Sequence, residues 1–79
     1  MRIKIDGVNE ALKFSRIAEK FDADIDVTDG HFVVDGKSHV GLLMICTSPN
    51  IEAKILTDDM SVWAAFRNAI EDFLYVEGE

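Results

Sequence analysis

The sequence predicts an α+β fold of order βαββαβα, with four antiparallel strands in one sheet and three helices on one face. Three observations lead to this prediction. Apolar residues alternate with polar ones over residues 1–5 and 24–28, an Asp-Gly turn signal follows at 29–30, and apolar residues recur at helical spacing over 9–21 and 63–73. A chain of 79 residues is long enough for one domain, so we assign residues 1–79 to a single domain.

The first half of the chain predicts three strands and one helix. Residues 1–5 form a strand with one buried face, because Met1, Ile3 and Ile5 alternate with basic residues. Residues 9–21 form a helix whose buried stripe is Ala11, Phe14, Ala18 and Phe21. Residues 24–28 form the second strand, with Ile25 and Val27 inward. Asp29-Gly30 then turns the chain into a third strand over 31–35.

The second half predicts two helices and a fourth strand. Ser38 begins a short helix that continues to Ile45, and residues 47–50 form a loop. The strand at 51–57 has two possible buried faces, one containing Ile51, Ala53 and Ile55 and the other containing Leu56. Asp58 or Asp59 caps the final helix, whose buried stripe is Trp63, Phe66, Ile70 and Phe73. We expect the tail, Glu77–Glu79, to be frayed.

Composition limits the classes of partner and compartment. The single cysteine, Cys46, excludes an internal disulfide and favours a cytoplasmic location, and its apolar neighbours predict buried filler. The longest apolar run, 42–46, is too short for membrane insertion. A net charge of −7 argues against nucleic acid. Residues 1–20 hold five basic and three acidic groups, which form either a local basic face for an acidic protein partner or a solvated helix surface.

Two short motifs resemble ligand-binding loops and fail on spacing. Gly36-Lys37-Ser38 matches the end of a phosphate-binding loop, but five residues rather than four separate Gly30 from Gly36, and 32–34 favour a strand. The aspartates at 22, 24 and 26 resemble the start of a calcium loop. That loop needs glycine where Val27 stands and glutamate where Val33 stands. We therefore expect no metal and no cofactor.

From Lys20 onward the chain resembles HPr, the histidine-containing phosphocarrier family of the sugar phosphotransferase system. The segment 20–25, KFDADI, is similar to the start of that family's second strand. The segment 37–41, KSHVG, lies on the family's Lys-Ser-Ile-Met-Gly. The resemblance implies an open-faced β-sandwich. It also implies that Ser38 is a regulatory phosphorylation site at the start of a helix whose apolar residues dock on partner proteins.

The resemblance fails at the phosphocarrier loop, which in the family is Gly-aliphatic-His-x-Arg-Pro-Ala. The matching residues here are Gly7, Val8, Asn9 and Glu10, followed by Ala11, and no histidine precedes His31. Glu10 adds negative charge where a phosphoryl group should arrive. We therefore predict a non-catalytic regulatory or protein-interaction module rather than an enzyme, with phosphotransferase-system enzymes or a serine kinase as partners. The candidate partner-binding residues are Leu12, Lys13, Arg16, Lys37, His39, Val40 and Leu43.

Three alternatives remain open at the level of sequence. Ser38 is either a helix cap alone or also a phosphorylation site. His39, expected as a surface histidine, or Ser38 is a non-standard phosphate carrier. The chain is otherwise a ferredoxin-like module that binds a small molecule. Strand order distinguishes the HPr-like fold from the ferredoxin-like fold. The HPr-like order has the fourth strand between the first and second, whereas the ferredoxin-like order has the first and third strands at the centre.

Overall fold

The computed structural model describes residues 1–75, which form an α+β fold with one four-stranded antiparallel sheet and three α-helices. The predicted frayed tail, Glu77–Glu79, lies outside these residues. The elements are β1 (Arg2–Ile3), α1 (Gly7–Ala18), β2 (Ile25–Thr28), β3 (Val33–Asp35), α2 (His39–Ile45), β4 (Ile51–Ile55), α3 (Met60–Ala69) and a 3₁₀ turn (Glu71–Phe73).

The sheet has the order β1-β4-β2-β3, so that β4 lies between β1 and β2 while β1 and β3 are the outer strands. The ferredoxin-like arrangement, with the first and third strands at the centre, is therefore not the arrangement of this sheet. One face of the sheet joins the helices in a single apolar core. The other face carries charged side chains, including Asp26, Glu52 and Lys54, in the alternation typical of a half-solvated antiparallel sheet.

Strand pairing decides which face of β4 is buried. Ile51, Ala53 and Ile55 are buried, whereas Leu56 is exposed. The register places Ile25 opposite Ile55, and opposite residues in an antiparallel pair share a face. The first of the two predicted faces is therefore the buried one.

Helix α1 begins at Gly7 and ends at Ala18, so it starts and stops earlier than the predicted 9–21. Gly7 has φ +87°, a conformation that glycine adopts without strain, and this lets the chain turn directly from β1 into the helix. The predicted stripe is buried at Ala11, Phe14 and Ala18. Phe21 follows the helix and is half-buried, with its ring edge-to-face on Phe66 at a centroid distance of 5.4 Å.

The C-terminal prediction needs two corrections. The final helix, capped by Asp59 through the Ser61 N–H at 2.9 Å, ends at Ala69, so that Phe73 is buried from a 3₁₀ turn instead. Trp63, predicted in the buried stripe, is only half-buried.

After the 3₁₀ turn the chain pairs with the outer edge of β1. The Lys4 N–H donates to the Phe73 carbonyl at 2.8 Å, and the Tyr75 N–H donates to the Arg2 carbonyl at 2.9 Å. Leu74 lies opposite Ile3 between these two bonds. The Arg2 carbonyl and the Lys4 N–H, which would otherwise face solvent at this edge, are therefore used.

The structure also describes the surroundings of Cys46 and the lengths of the helices. Cys46, predicted as buried filler, is half-buried, and its Sγ lies 3.6 Å from the Leu43 carbonyl oxygen. Within residues 1–75, no helix is long and apolar enough to cross a bilayer.

Candidate functional site

The turn between β3 and α2 uses every N–H of Gly36-Lys37-Ser38 within the fold. The Gly36 N–H donates to the Ile25 carbonyl at 2.7 Å. The Lys37 N–H donates to Asp35 Oδ1 and the Ser38 N–H to the Asp35 carbonyl, both at 2.9 Å. A phosphate-binding loop needs these amides free to face its ligand. The segment is therefore a tight turn, in agreement with the rejection of a nucleotide site on spacing.

Ser38 is the N-cap of α2. Its Oγ accepts a hydrogen bond from the Gly41 N–H at 3.1 Å, and its carbonyl accepts from the Leu42 N–H at 3.0 Å. The predicted cap is confirmed. Because α2 has seven residues, its first-turn N–H groups are a large share of its backbone donors, and a side-chain acceptor at this end matters for the whole helix.

His39 connects the starts of the first two helices. Its Nε2 lies 3.3 Å from the Val8 carbonyl oxygen, so the tautomer with Nε2–H donates to the first turn of α1. His39 is half-buried as a residue, and its contact with Val8 lies at the surface. This contact places the α2 start beside the segment that resembles a phosphocarrier loop, and nothing in the local sequence pattern indicates it.

The candidate residues of α1 do not all lie on one side of the helix. Val8, Leu12 and Arg16 follow at i, i+4 and i+8 and share one side of the helix, the side on which Val8 meets His39. Leu12 is half-buried and Arg16 is exposed. Lys13 lies on another side, in a groove of about 330 Å³ that it lines with Arg16, Ile17 and residues 72–73. Helical spacing therefore puts Leu12 on the side of α1 that meets α2, and Arg16 between this side and the groove that it shares with Lys13.

Helix α2 presents two apolar side chains to solvent. Leu42 and Ile45 point into the core, whereas the side chains of Val40 and Met44 are 70% and 73% exposed. Leu43 is half-buried, as is Lys37 in the preceding turn. Of the predicted α2 contact residues, Val40 is thus available to a partner, and Met44, which the sequence analysis did not select, is equally available.

The segment that matches the phosphocarrier loop forms the first turn of α1. The Glu10 carboxylate accepts a hydrogen bond from the Asp6 N–H at 2.8 Å, which fixes one acidic group at the helix start. Asp6 is a second acidic group at this helix start. Lys4 Nζ lies 3.9 Å from Asp6 Oδ2, but the pair is exposed to solvent, so the lysine offsets little of the negative charge. Gly7 also lines an open groove of about 490 Å³ between this turn and the loop after α2. Two carboxylates at this position disfavour a phosphoryl group.

Asp29 organises the β2–β3 turn and was predicted only as a turn residue. Its Oδ1 accepts from the N–H groups of His31 at 2.9 Å and Phe32 at 2.8 Å, and its Oδ2 accepts from the Ser48 hydroxyl at 3.0 Å. These bonds, above all that from the Phe32 N–H, lower the pKa of Asp29 below its usual value. The hairpin is thereby joined to the loop after α2.

Comparison with known proteins provides no family for this chain: no family model matches it, and neither does any curated protein or solved structure. The function must therefore be inferred from the residues and their positions. The candidate site consists of the starts of α1 and α2, which meet at the contact between His39 and Val8.

Proposed function

We propose that this protein is a non-catalytic, HPr-like protein-interaction module that docks through the α1–α2 surface, defined by Val8, Leu12, Arg16, His39 and Val40. The observation that carries the proposal is the short Ser38-capped helix, which holds His39 against the first turn of α1 and leaves the adjacent Val40 in solvent. An apolar residue with an adjacent cation is the composition expected of a docking surface.

Two further observations support the HPr-like part of the proposal. The sheet order β1-β4-β2-β3 is the order that the resemblance implies. Ser38, which the resemblance puts on the family's regulatory serine, occupies the N-cap as that serine does. The non-catalytic part is supported by the first turn of α1, which holds no histidine or arginine and carries the Glu10 carboxylate instead.

Binding to the first enzyme of the phosphotransferase system and to the serine kinase tests the proposal. We expect Arg16→Glu to weaken binding about fivefold or more, because a negative charge then replaces the cation that an acidic partner would contact. Arg67→Glu is the matched control, since both arginines are exposed and lie in the last turn of their helices. Lack of binding to either protein, or equal loss in both variants, would contradict the proposal.

Phosphorylation of Ser38 is a separate part of the proposal. A phosphate there would place about −1.5 to −2 charges at the start of α2, where the helix dipole favours an anion. Intact mass after treatment with the serine kinase detects it. Ser38→Asn keeps a capping oxygen and removes the hydroxyl, so it should abolish the added mass without unfolding the helix. Added mass on this variant would assign the phosphate elsewhere.

A phosphocarrier role for His39 is the second candidate, and one contact favours it. Nε2 of His39 faces the Val8 carbonyl, which puts the ring beside the segment that resembles the phosphocarrier loop and leaves Nδ1 for a phosphoryl group. Transfer from the phosphohistidine of the first enzyme would form an Nδ1–P bond and break the N–P bond of the donor. The carboxylates of Asp6 and Glu10 oppose this transfer.

Incubation with the first enzyme and labelled phosphoenolpyruvate tests the second candidate. Acid-labile label that disappears in His39→Ala and persists in His31→Ala would establish it, because His31 is the exposed histidine of the hairpin. Absence of label on the wild-type protein, or label that survives in His39→Ala, would exclude it. The two candidate functions make opposite predictions here, so one experiment separates them.

A further inference from the structure

The outer edge of β3 presents unpaired backbone groups. The Asp29 N–H donates to the Phe32 carbonyl and the Gly36 N–H to the Ile25 carbonyl. Because hydrogen-bonded and non-bonded pairs alternate along an antiparallel ladder, Val34 is the intervening residue bonded to β2. The backbone groups of Val33 and Asp35 therefore point away from the sheet. Of these, the Asp35 carbonyl accepts from the Ser38 N–H, which leaves the Val33 N–H and C=O and the Asp35 N–H.

Apolar side chains accompany this edge on the same side of the molecule. Phe32 and Val33 are 65% and 67% exposed, an unusual state for an aromatic and a β-branched residue in adjacent positions. On the inner side, α2 packs against β3 closely enough that a Cβ on Gly41 would lie 3.1 Å from the Val34 Cβ. The same helix carries the exposed Met44. Because Phe32 and Val33 are adjacent along the chain, their side chains leave it on opposite faces, so an added strand would meet an apolar residue on each of its faces.

The charge of the edge selects the kind of strand that can bind. Asp35 lies directly opposite Asp26, and like charges in this position destabilise a sheet. Lys54 lies opposite Asp26 on the far side, so that the inner carboxylate has a cation neighbour and Asp35, at the edge, has none from that strand. A lysine or arginine on an added strand, opposite Asp35, would give this carboxylate a cation neighbour. A second copy of β3 would instead bring one further carboxylate, its own Asp35, from a protein of net charge −7.

We propose that the β3 edge is a docking site for an extended, basic peptide segment, which adds to the sheet as a fifth strand. The unpaired groups of Val33 and Asp35 supply backbone hydrogen bonds. Because Val33 and Asp35 share one face of the sheet, basic side chains on that face of the added strand pair with Asp35 and lie along Val33, and the apolar side chains between them face Phe32. The site is separate from the α1–α2 surface and does not depend on the proposed function.

The probe is a short peptide that alternates valine and lysine, titrated into ¹⁵N-labelled protein. We expect the largest amide shifts at Val33 and Asp35 and slowed hydrogen exchange of their N–H groups. Two control peptides separate the contributions: one replaces lysine by glutamate, and the other is methylated at every backbone nitrogen, so that neither of its edges can donate a hydrogen bond. Both should fail to bind, because the first repels Asp35 and the second cannot donate to the Val33 carbonyl.

Variants of the protein give an independent test. Asp35→Asn keeps an acceptor for the Lys37 N–H and removes the charge, and should weaken binding about two- to fivefold. Val33→Pro removes an N–H that faces solvent, and should weaken it about two- to tenfold. Glu52→Gln is the matched control, since it removes one carboxylate from the same face two strands away.

Three results would overturn the proposal: equal binding of the glutamate peptide, shifts confined to other parts of the sheet, or unchanged affinity in Asp35→Asn. Sedimentation of the free protein tests whether a second copy of the chain binds at this edge instead. A concentration-dependent dimer that Val33→Pro disrupts would assign the edge to a second copy. The methylated peptide keeps the test decisive even where Val33→Pro does not fold.

Discussion

Removal of the Ser38 cap provides the sharpest test of how α2 is held. Ser38→Ala deletes the Oγ that accepts from the Gly41 N–H at 3.1 Å and leaves the backbone bond from the Leu42 N–H intact. The Gly41 N–H then has water as its replacement partner. Ser38 and Gly41 are both half-buried, so water reaches this N–H only in part.

The expected cost follows from this geometry. Replacing a serine cap by alanine costs about 0.5–2 kcal/mol, and a half-buried cap with one good hydrogen bond belongs near the middle of that range, about 1 kcal/mol. In a domain of 79 residues, about 1 kcal/mol lowers the melting temperature by about 4–8 °C. A chain this small is marginally stable, so the loss is a substantial fraction of its total free energy of unfolding.

Urea denaturation followed by circular dichroism measures the loss, with thermal melting as a second observable. Ser38→Asn should lose less than half as much as Ser38→Ala, because the asparagine oxygen can take the same hydrogen bond. Thr47→Ala is the control, because it removes an exposed hydroxyl just beyond the other end of α2. Equal stability of Ser38→Ala and wild type, or equal losses in both Ser38 variants, would refute a structural cap and leave phosphorylation as the only role for this serine.

Three further predictions concern the core and the hairpin. Gly36→Ala should lose about 1–3 kcal/mol in urea unfolding, because the new Cβ would lie 2.6 Å from Ile25 Cγ2. Phe66→Ala should lose about 3–5 kcal/mol, whereas Phe32→Ala, at an exposed phenylalanine, should change stability by less than about 0.5 kcal/mol; equal losses would contradict the burial of Phe66. The folded pKa of Asp29 is lowered from its usual 3.8, so its stabilisation is complete above that pH and is lost as the pH falls through the folded pKa. Acid titration of stability should therefore be steeper in wild type than in Asp29→Asn, and identical curves would contradict the lowered pKa.

Local pattern was sufficient for most elements of the fold. Alternation at Ile25 and Val27 predicted the buried face of β2, and the spacing of Ala11, Phe14 and Ala18 predicted the buried face of α1. Ser38 was identified as a cap from residue type alone. These features depend on residues within about four positions of one another, where the helix and strand periods determine which side chains share a face.

The features that the sequence could not provide depend on distant partners. The face of β4 is decided by its pairing with β2, and the end of α3 at Ala69 accompanies the pairing of Leu74 with Ile3. The contact between His39 and Val8 joins residues on two helices. Ser15, a polar residue that is buried, is satisfied by donating to the Leu12 carbonyl at 2.8 Å, and helical spacing alone does not distinguish it from a surface serine.

The candidate site was predicted in part for the same reason. Residue type and the resemblance selected Arg16, His39 and Val40, and all three lie at the α1–α2 surface or beside it. Lys13 and Arg16 both line the groove with Asp72, but helical spacing puts Lys13 farther than Arg16 from the side of α1 that meets α2. The sequence does not distinguish Met44 from the buried residues of α2, because nearly every residue of this helix is apolar.

The pairing of residues 73–75 with β1 makes the two ends of the sheet unequal. On the β1 side, the N–H of Leu74 that points outward already donates to the Glu71 carbonyl at 3.1 Å, so this end offers no donor there to another strand. Among residues 1–75, outward N–H groups without a partner lie on the β3 side, at Val33 and Asp35. Two copies of a sheet that extends on one side alone can join through those edges, and the pair then has no further edge of this kind, so association between copies ends at a dimer rather than growing into a fibre.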